Sequence, residues 1–364
     1  MSDVLDKIRG SLIGGAAGDA LGYAVEFNDE GTIFGRYGAG GIRSYSLEEG
    51  KARVSDDTQM TLFTAYAMIC CAEERKEKGS AAAPRYYAAE AYLEWLMTQE
   101  GSYGTACGNY GNFEDPRETD GLIAVPLLRL PEIYAWRAPG NTCLSSLRTR
   151  RAQDHRIDSY IKDPVNPSKG CGGVMRAAPV GMIPWESIEE MDRESAEIAA
   201  ITHGHSLGYL PAAVLTHVVH RLIFCPEQMT LRQIVEEARD TVTGIFAEDE
   251  HAGELARLIN KAIALSESGG DDLDNIHALG EGWVGDQALA IALYCSLKYK
   301  EDFSEGLIAS VNHMGDSDST GAVTGNILGA LVGYEALDQK WKDDLELREE
   351  ILKTADRLYE AACL

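Results

Sequence analysis

The sequence predicts an all-α fold, a compact bundle of many helices crossing at steep angles. Three observations predict it. Apolar residues recur at spacings of three and four over most of the 364 residues, the two-residue alternation of strands is almost absent, and glycine recurs at every fourth position in two separate runs. With 45% hydrophobic and 25% charged residues the chain has material for a large core, and 37 glycines against 11 prolines do not describe a disordered polymer. Helical segments on either side of the irregular stretches share one composition, so residues 1–364 are expected to form one domain.

In chain order, the first element carries Gly10, Gly14, Gly18 and Gly22 in "GSLIGGAAGDALG". Each glycine in a helix interior costs about 1 kcal/mol against alanine, so four on one stripe predict a neighbouring helix that needs the missing side chains. "RVSDDTQMTLF" (53–63) opens the next element, where Asp56 as N-cap and Gln59 three residues later read as a capping box before the periodic run 58–75. A second periodic run, 83–100, follows. The stretches 101–121 and 148–173 are rich in glycine, proline and polar residues and read as long loops of the functional kind. The second ends in "KGCGGVMR", where Gly170 to Gly173 allow close backbone approach, either as an anion cradle of consecutive amides or as an ordinary tight turn. Helical period returns over 194–224, 230–246, 251–268 and 286–299. "HMGDSDSTGAVTGNILGALVGY" (313–334) then repeats the glycine stripe at Gly321, Gly325, Gly329 and Gly333, and 347–364 closes the chain as a helix. The two stripes predict two core helices packed on one another.

Both stripes lie beside acids. One aspartate at a helix start is explained by capping and by the helix dipole, whereas "SDDT" and "DSDS" each supply two. Four carboxylates gathered in a core repel unless divalent cations separate them, and Mg2+ or Mn2+ take such oxygens together with Ser or Thr hydroxyls. Spacing alone leaves two readings open, a pair of capped helices or a single two-metal centre.

A net charge of −25 argues against binding to nucleic acid or to an anionic membrane, since both present phosphate. The charged amino terminus lacks the apolar core of a signal peptide, and no run reaches the roughly 18 uncharged apolar residues of a membrane span. A stripe of small residues also suits membrane helix pairs, but the run at 321–333 is short and carries Thr324 and Asn326. Eight cysteines without CxxC spacing indicate neither a zinc site nor a secreted disulfide framework, so a cytoplasmic location is expected.

Six motifs in order, "GSLIGGAAGDALGYAVEF", "VSDDTQM", "GCGGVMRAAPVG", "THGHSLGY", "GEGWVGDQALAIAL" and "GDSDSTGAVTGNILGA", resemble the signature of the ADP-ribosylglycohydrolase family over roughly residues 7–337. "GDALGY", "VSDDT" and "GDSDSTG" most resemble its arginine-type members. The resemblance implies an all-helical fold holding two Mg2+ or Mn2+ ions at the base of a cleft. It implies Ser55, Asp56 and Asp57 as one ligand set and Asp316, Asp318 and Ser319 as the other. Glu26 matches an acid that approaches the metals in some members, and Asp19 is either an acceptor behind the ligands or a helix-end residue.

The implied activity is hydrolysis of the N-glycosidic bond between ADP-ribose and an acceptor, arginine above all, in an ADP-ribosylated protein or a small ADP-ribosyl substrate. Hydrolysis of O-linked ADP-ribose, on serine or on ADP-ribose derivatives, and a non-catalytic ADP-ribose-binding protein are the alternatives. An isoprenoid-diphosphate enzyme would also bind Mg2+ through helical aspartates, but the chain has no DDxxD. Two ions would orient the ribose and lower the pKa of a water, with Asp57 or Asp318 as base and Glu26 as a third candidate. For the rest of ADP-ribose the resemblance implies the backbone of Gly172, Gly173 and Val174 for the diphosphate, with Cys171 standing where many members have asparagine. It implies His203 in the cleft wall, and Trp283 is a candidate to stack on adenine. Arg148, Arg150 and Arg151 either steer diphosphate or are simply solvated.

Overall fold

The computed structural model describes residues 3–114, 119–153, 156–225 and 229–363. In chain order the helices are α1 (Asp3–Tyr23), α2 (Glu30–Tyr37), α3 (Asp56–Lys78), α4 (Pro84–Glu100), α5 (Tyr103–Asn109), α6 (Val125–Leu128), α7 (Asn141–Ala152), α8 (Ile188–Ala200), α9 (Ser206–Phe224), α10 (Leu231–Ile245), α11 (Ala252–Glu267), α12 (Asp272–Leu279), α13 (Gly285–Lys298), α14 (Phe303–Val311), α15 (Ser317–Val332) and α16 (Arg348–Cys363). Among the described residues there is no strand, only three isolated bridges, so the fold is all-α. One continuous set of buried apolar side chains runs from Ile8 in α1 to Leu358 in α16.

The two glycine stripes face each other. A Cβ added at Gly14 would come within 3.0 Å of the Gly325 carbonyl oxygen, and one at Gly325 would do the same to Gly14; Gly18 with Gly321 and Gly10 with Gly329 repeat the relation. The backbones are thus in van der Waals contact over four turns, which no side chain larger than hydrogen permits. The rising order on α1 against the falling order on α15 makes the pair antiparallel. Ser11 and Asn326 lock the register, the Ser11 hydroxyl donating to the Asn326 carbonyl (2.9 Å) and the Asn326 amide donating to the Ser11 carbonyl (2.8 Å). Gly22, at the end of α1, lies against Ser317 at the start of α15. Antiparallel packing therefore brings the acids after one stripe beside the acids before the other.

α9 is long and apolar enough to cross a bilayer, yet almost all of it is buried by neighbouring helices, as befits the central helix of a core. The periodic run 194–224 is broken in the structure: α8 ends at Ala200, and His205 caps α9 by accepting from the Leu207 amide through Nδ1 (3.0 Å). Gly204 sits where a Cβ would strike the Asn166 carbonyl, so the turn is pinned against the 156–173 segment. The stretches read as loops are also partly helical. Ser102 caps α5 by accepting from Thr105 N (3.2 Å), and residues 148–152 complete α7, while residues 115–118 and 154–155 lie outside the described residues.

Candidate metal centre

Three elements converge on one buried acidic site: the turn after α1, the start of α3 and the start of α15. Asp19, in the last turns of α1, fixes the start of α3. Its carboxylate accepts from Ser55 N (2.9 and 3.1 Å) and Thr58 N (3.1 Å), and from the Thr58 hydroxyl. Of the two readings left open for Asp19, the structure shows the acceptor. The capping box predicted around Asp56 and Gln59 is not formed. Ser55 is the N-cap instead, accepting from Asp57 N (3.1 Å), and Gln59 turns inward to Ala135 O, Trp95 Nε1 and Gln99 Nε2. Asp56 is thereby released from capping, and its Oδ2 accepts from Gly140 N at 3.2 Å. The same holds across the site, where Asp316 occupies the N-cap position of α15 but makes no capping bond with its side chain.

Glu26, Asp316 and Asp318 each bring a carboxylate oxygen within 4.8 Å of the others, and all three are buried. Asp56 and Asp57 stand beside this trio, close enough that Asp318 raises the pKa of both. Ser55 and Ser319 are buried at the two helix starts, and Ser319 N donates to Asp318 Oδ1 at 2.9 Å. Arg53 and Arg137, the arginines on flanking segments, turn to Glu346 (2.7 and 3.0 Å). Of the buried carboxylate oxygens at this site, Asp57 Oδ2 and Glu26 Oε2 have no hydrogen-bond partner. An all-oxygen set with unpartnered carboxylates fits a hard divalent cation, and the bland reading of two capped helices does not account for Asp56 or Asp316.

Burial, then the charge of Asp318, pushes the Glu26 carboxyl up to about 11 and that of Asp19 up to about 7. The same causes, in the same order, raise Asp57 and Asp316 well above the usual range. Without cations the folded protein therefore retains protons that the unfolded chain releases. That stability is fully present below the ordinary carboxylate range and is lost as pH rises through about 7 for Asp19 and onward for Glu26. The melting temperature of chelated protein is expected to fall as pH is raised from about 5 to about 8. Saturating Mg2+ is expected to flatten that slope. Identical slopes with and without Mg2+ would show that the acids do not share a cation site.

The residues expected to bind the rest of the substrate lie on two adjoining segments. Cys171 N donates to the Trp283 carbonyl (3.2 Å), and a bridge joins Gly170 to Val284, so the 170–173 turn and the 280–285 loop are locked together. His203 is buried beneath the turn; a Cβ at Gly172 would meet its Cε1 at 2.8 Å. Burial and the neighbouring Arg176 push its pKa down to about 3, so the ring is neutral, with Nδ1 2.8 Å from the Thr202 hydroxyl. Val174 has no backbone group to spare: its amide closes the turn on Cys171 O (2.9 Å) and its carbonyl accepts from Ala177 N (3.1 Å). Its side chain is fully buried, which leaves Gly172 and Gly173 as the backbone candidates. Of the three arginines only Arg150 is withdrawn from solvent; Arg148 and Arg151 are exposed but paired. Arg148 and Arg151 both pair with Glu100 (2.7 and 2.6 Å), and Arg150 is buried over the Tyr160 ring with its guanidinium on the Asp163 carbonyl (2.7 Å).

Two contacts have no counterpart in the reading of the motifs. The Cys171 thiol donates to Asp316 Oδ2 at 2.7 Å, which ties the 170–173 turn directly to the acids. Trp283 stacks on Phe27, with centroids 6.3 Å apart and planes 25° from parallel. The only sequence signal for Phe27 was its place next to Glu26.

Comparison with known proteins places the chain in a family. A sequence model described as ADP-ribosylglycohydrolase matches residues 1–364. The chain is 24% identical over 376 aligned positions to the ADP-ribosyl-[dinitrogen reductase] glycohydrolase of Rhodospirillum rubrum, covering 99% of this chain and 98% of that protein. It is 22% identical to the ADP-ribosylarginine hydrolase Tri1 of Serratia proteamaculans, covering 98% of this chain and 80% of that one. An uncharacterized protein of Archaeoglobus fulgidus is 31% identical over 198 residues, 53% of this chain and 59% of the other. A solved structure titled ADP-ribosylglycohydrolase-related protein complex superposes over the whole of both chains with a TM-score of 0.64 at 21% identity. The chain belongs to the ADP-ribosylglycohydrolase family.

Proposed function

We propose that the protein hydrolyses the bond between ADP-ribose and an acceptor, with arginine as the acceptor and two divalent cations in the acidic site. The observation that carries this is the buried trio Glu26, Asp316 and Asp318, within 4.8 Å of one another, with Asp56 and Asp57 alongside. The arginine assignment is supported by the Serratia relative, whose name states that acceptor and which matches 98% of this chain. Ser55, Asp56, Asp57, Asp316, Asp318 and Ser319 would hold two Mg2+ or Mn2+, which when bound supply Lewis acidity toward ribose hydroxyls and make water acidic enough to react near neutral pH.

The chain's own residues do the rest. Asp19 and Ser55 hold the start of α3 so that Asp56 and Asp57 face α15, and the Cys171 thiol anchors the substrate-side turn to Asp316. In the reaction a water oxygen bonds to the anomeric carbon, the carbon–nitrogen bond to the guanidino group breaks, and the leaving nitrogen takes a proton. Asp57 and Glu26 each retain an unpartnered oxygen to accept and return protons. Gly172 and Gly173 offer backbone to the diphosphate, and neutral His203 supports that turn without adding charge.

The test is release of ADP-ribose from arginine-linked, serine-linked and ribose-O-linked substrates, with and without chelation. Turnover on the arginine substrate is expected to vanish on chelation and return with Mg2+ or Mn2+. Full activity in protein shown by elemental analysis to be metal-free would refute the metal mechanism, and release from serine but not arginine would replace the acceptor.

A further inference from the structure

Among the described residues, five large apolar side chains are exposed: Phe27, Leu47, Trp136, Trp283 and Met314. Four of these adjoin the acids in sequence or in space. Phe27 follows Glu26, and Met314 stands two residues before Asp316. Trp283 follows Gly282, whose added Cβ would lie 3.3 Å from the Asp316 Cβ. Trp136 sits between Ala135 and Arg137, whose carbonyls receive the Gln59 side-chain amide and the Asp56 backbone amide. Exposed apolar side chains beside a carboxylate cluster are the kind of surface a folded protein keeps for a ligand. Phe27 and Trp283, 72% and 42% exposed, already stack on each other and keep ring surface open to solvent.

We propose that the Phe27–Trp283 pair is the acceptor-side platform of the site and receives the guanidinium of an ADP-ribosylated arginine. The inference rests on the reading of the site as an ADP-ribosyl-acceptor hydrolase and adds the residues that select the acceptor. The electron-rich faces of Trp and Phe attract cations, and a planar guanidinium both stacks on them and carries the charge. Flanking carboxylates and a net charge of −25 make the surroundings complementary to a cation. A serine linkage presents no planar cation. Adenine is the competing occupant of an aromatic platform, but two riboses and a diphosphate separate it from the bond that breaks. Phe27 and Trp283, by contrast, are each within one residue of a group touching the acids.

The experiment compares wild type with Phe27→Ala, Trp283→Ala and Trp283→Phe. Agmatine serves as the guanidinium probe and ADP-ribose as the adenine-bearing one, each titrated into Mg2+-loaded protein. Agmatine affinity, and KM for the arginine-linked substrate, are expected to weaken about 3- to 30-fold in the two alanine variants and to be largely restored in Trp283→Phe. ADP-ribose affinity is expected to stay within about twofold. An equal loss of ADP-ribose affinity would assign the pair to adenine and overturn the proposal, as would unchanged agmatine affinity in both alanine variants. Absence of arginine-linked turnover in wild type would instead strike the acceptor assignment, and it is read separately from the variant comparison. Both side chains are exposed, so the substitutions leave the core untouched.

Discussion

Asp316→Asn is expected to lower ADP-ribose release by about 100-fold or more while the protein keeps its helical fold. Asparagine is as good an N-cap as aspartate, and Asp316 in any case makes no capping bond with its side chain. What holds the start of α15 is backbone, Asp316 N on Glu281 O (2.8 Å) and Thr320 N on Asp316 O (3.1 Å), and both survive the change. The Cys171 thiol can still donate to an amide oxygen. Only the negative charge is lost, and charge is what a cation site needs. Asp57→Asn is expected to behave alike, although it lies on α3 at the other side of the site. Elemental analysis is expected to show two metals per chain in wild type and one in either variant, with unchanged helical circular dichroism. Normal turnover in Asp316→Asn would reduce "GDSDSTG" to the start of a helix.

Leucine at position 325 is expected to destabilise the protein by at least about 3 kcal/mol, the upper end of ordinary overpacking. The side chain at 325 would meet the backbone of Gly14 and Gly15, which cannot swing aside as a side chain does. The helices must separate, and with them Glu26 from Asp316 and Asp318, so metal affinity falls together with stability. Leucine at Gly14 acts from the opposite face with the same outcome. Gly35, in α2, provides the contrast. No atom beyond its own helix turn lies within 4 Å of an added Cβ and its φ is not in the left-handed range, so alanine there is expected to be neutral or stabilising by up to about 1 kcal/mol. Equal melting temperatures for Gly325→Leu and wild type would refute the close packing of α1 on α15.

The features legible in the sequence were those written locally. Period three-and-four gave the helices, and the matched glycine stripes gave their pairing because only a close backbone explains four glycines on one face. The acids beside the stripes, with the family motifs, pointed to the site. What the sequence hid depends on neighbours that fold in from elsewhere. The turn at 201–205 interrupts a period that continues unbroken across it, and its cause is the Asn166 carbonyl behind Gly204. Gln59 looked like the partner of a capping residue, but Trp95 and Gln99 on α4 draw it inward. Arg148 and Arg151 read as a basic patch until Glu100 is placed between them. Cys171 on Asp316 and Phe27 on Trp283 join residues roughly 145 and 250 positions apart, and no local pattern encodes such a meeting.

The antiparallel pair α1–α15 also has a consequence for synthesis. α1 leaves the ribosome well before the surface it is shaped to meet, which begins at Ser317. At about 5–20 residues per second the nascent chain waits roughly 15–60 s with a glycine-lined helix face uncovered and Asp19 and Glu26 lacking half of their neighbours. A product that stops short of α15 has neither the closure of the core nor the second half of the acids. A cation site that draws on the starts of both α3 and α15 would therefore form only once Ser317 and its neighbours have emerged.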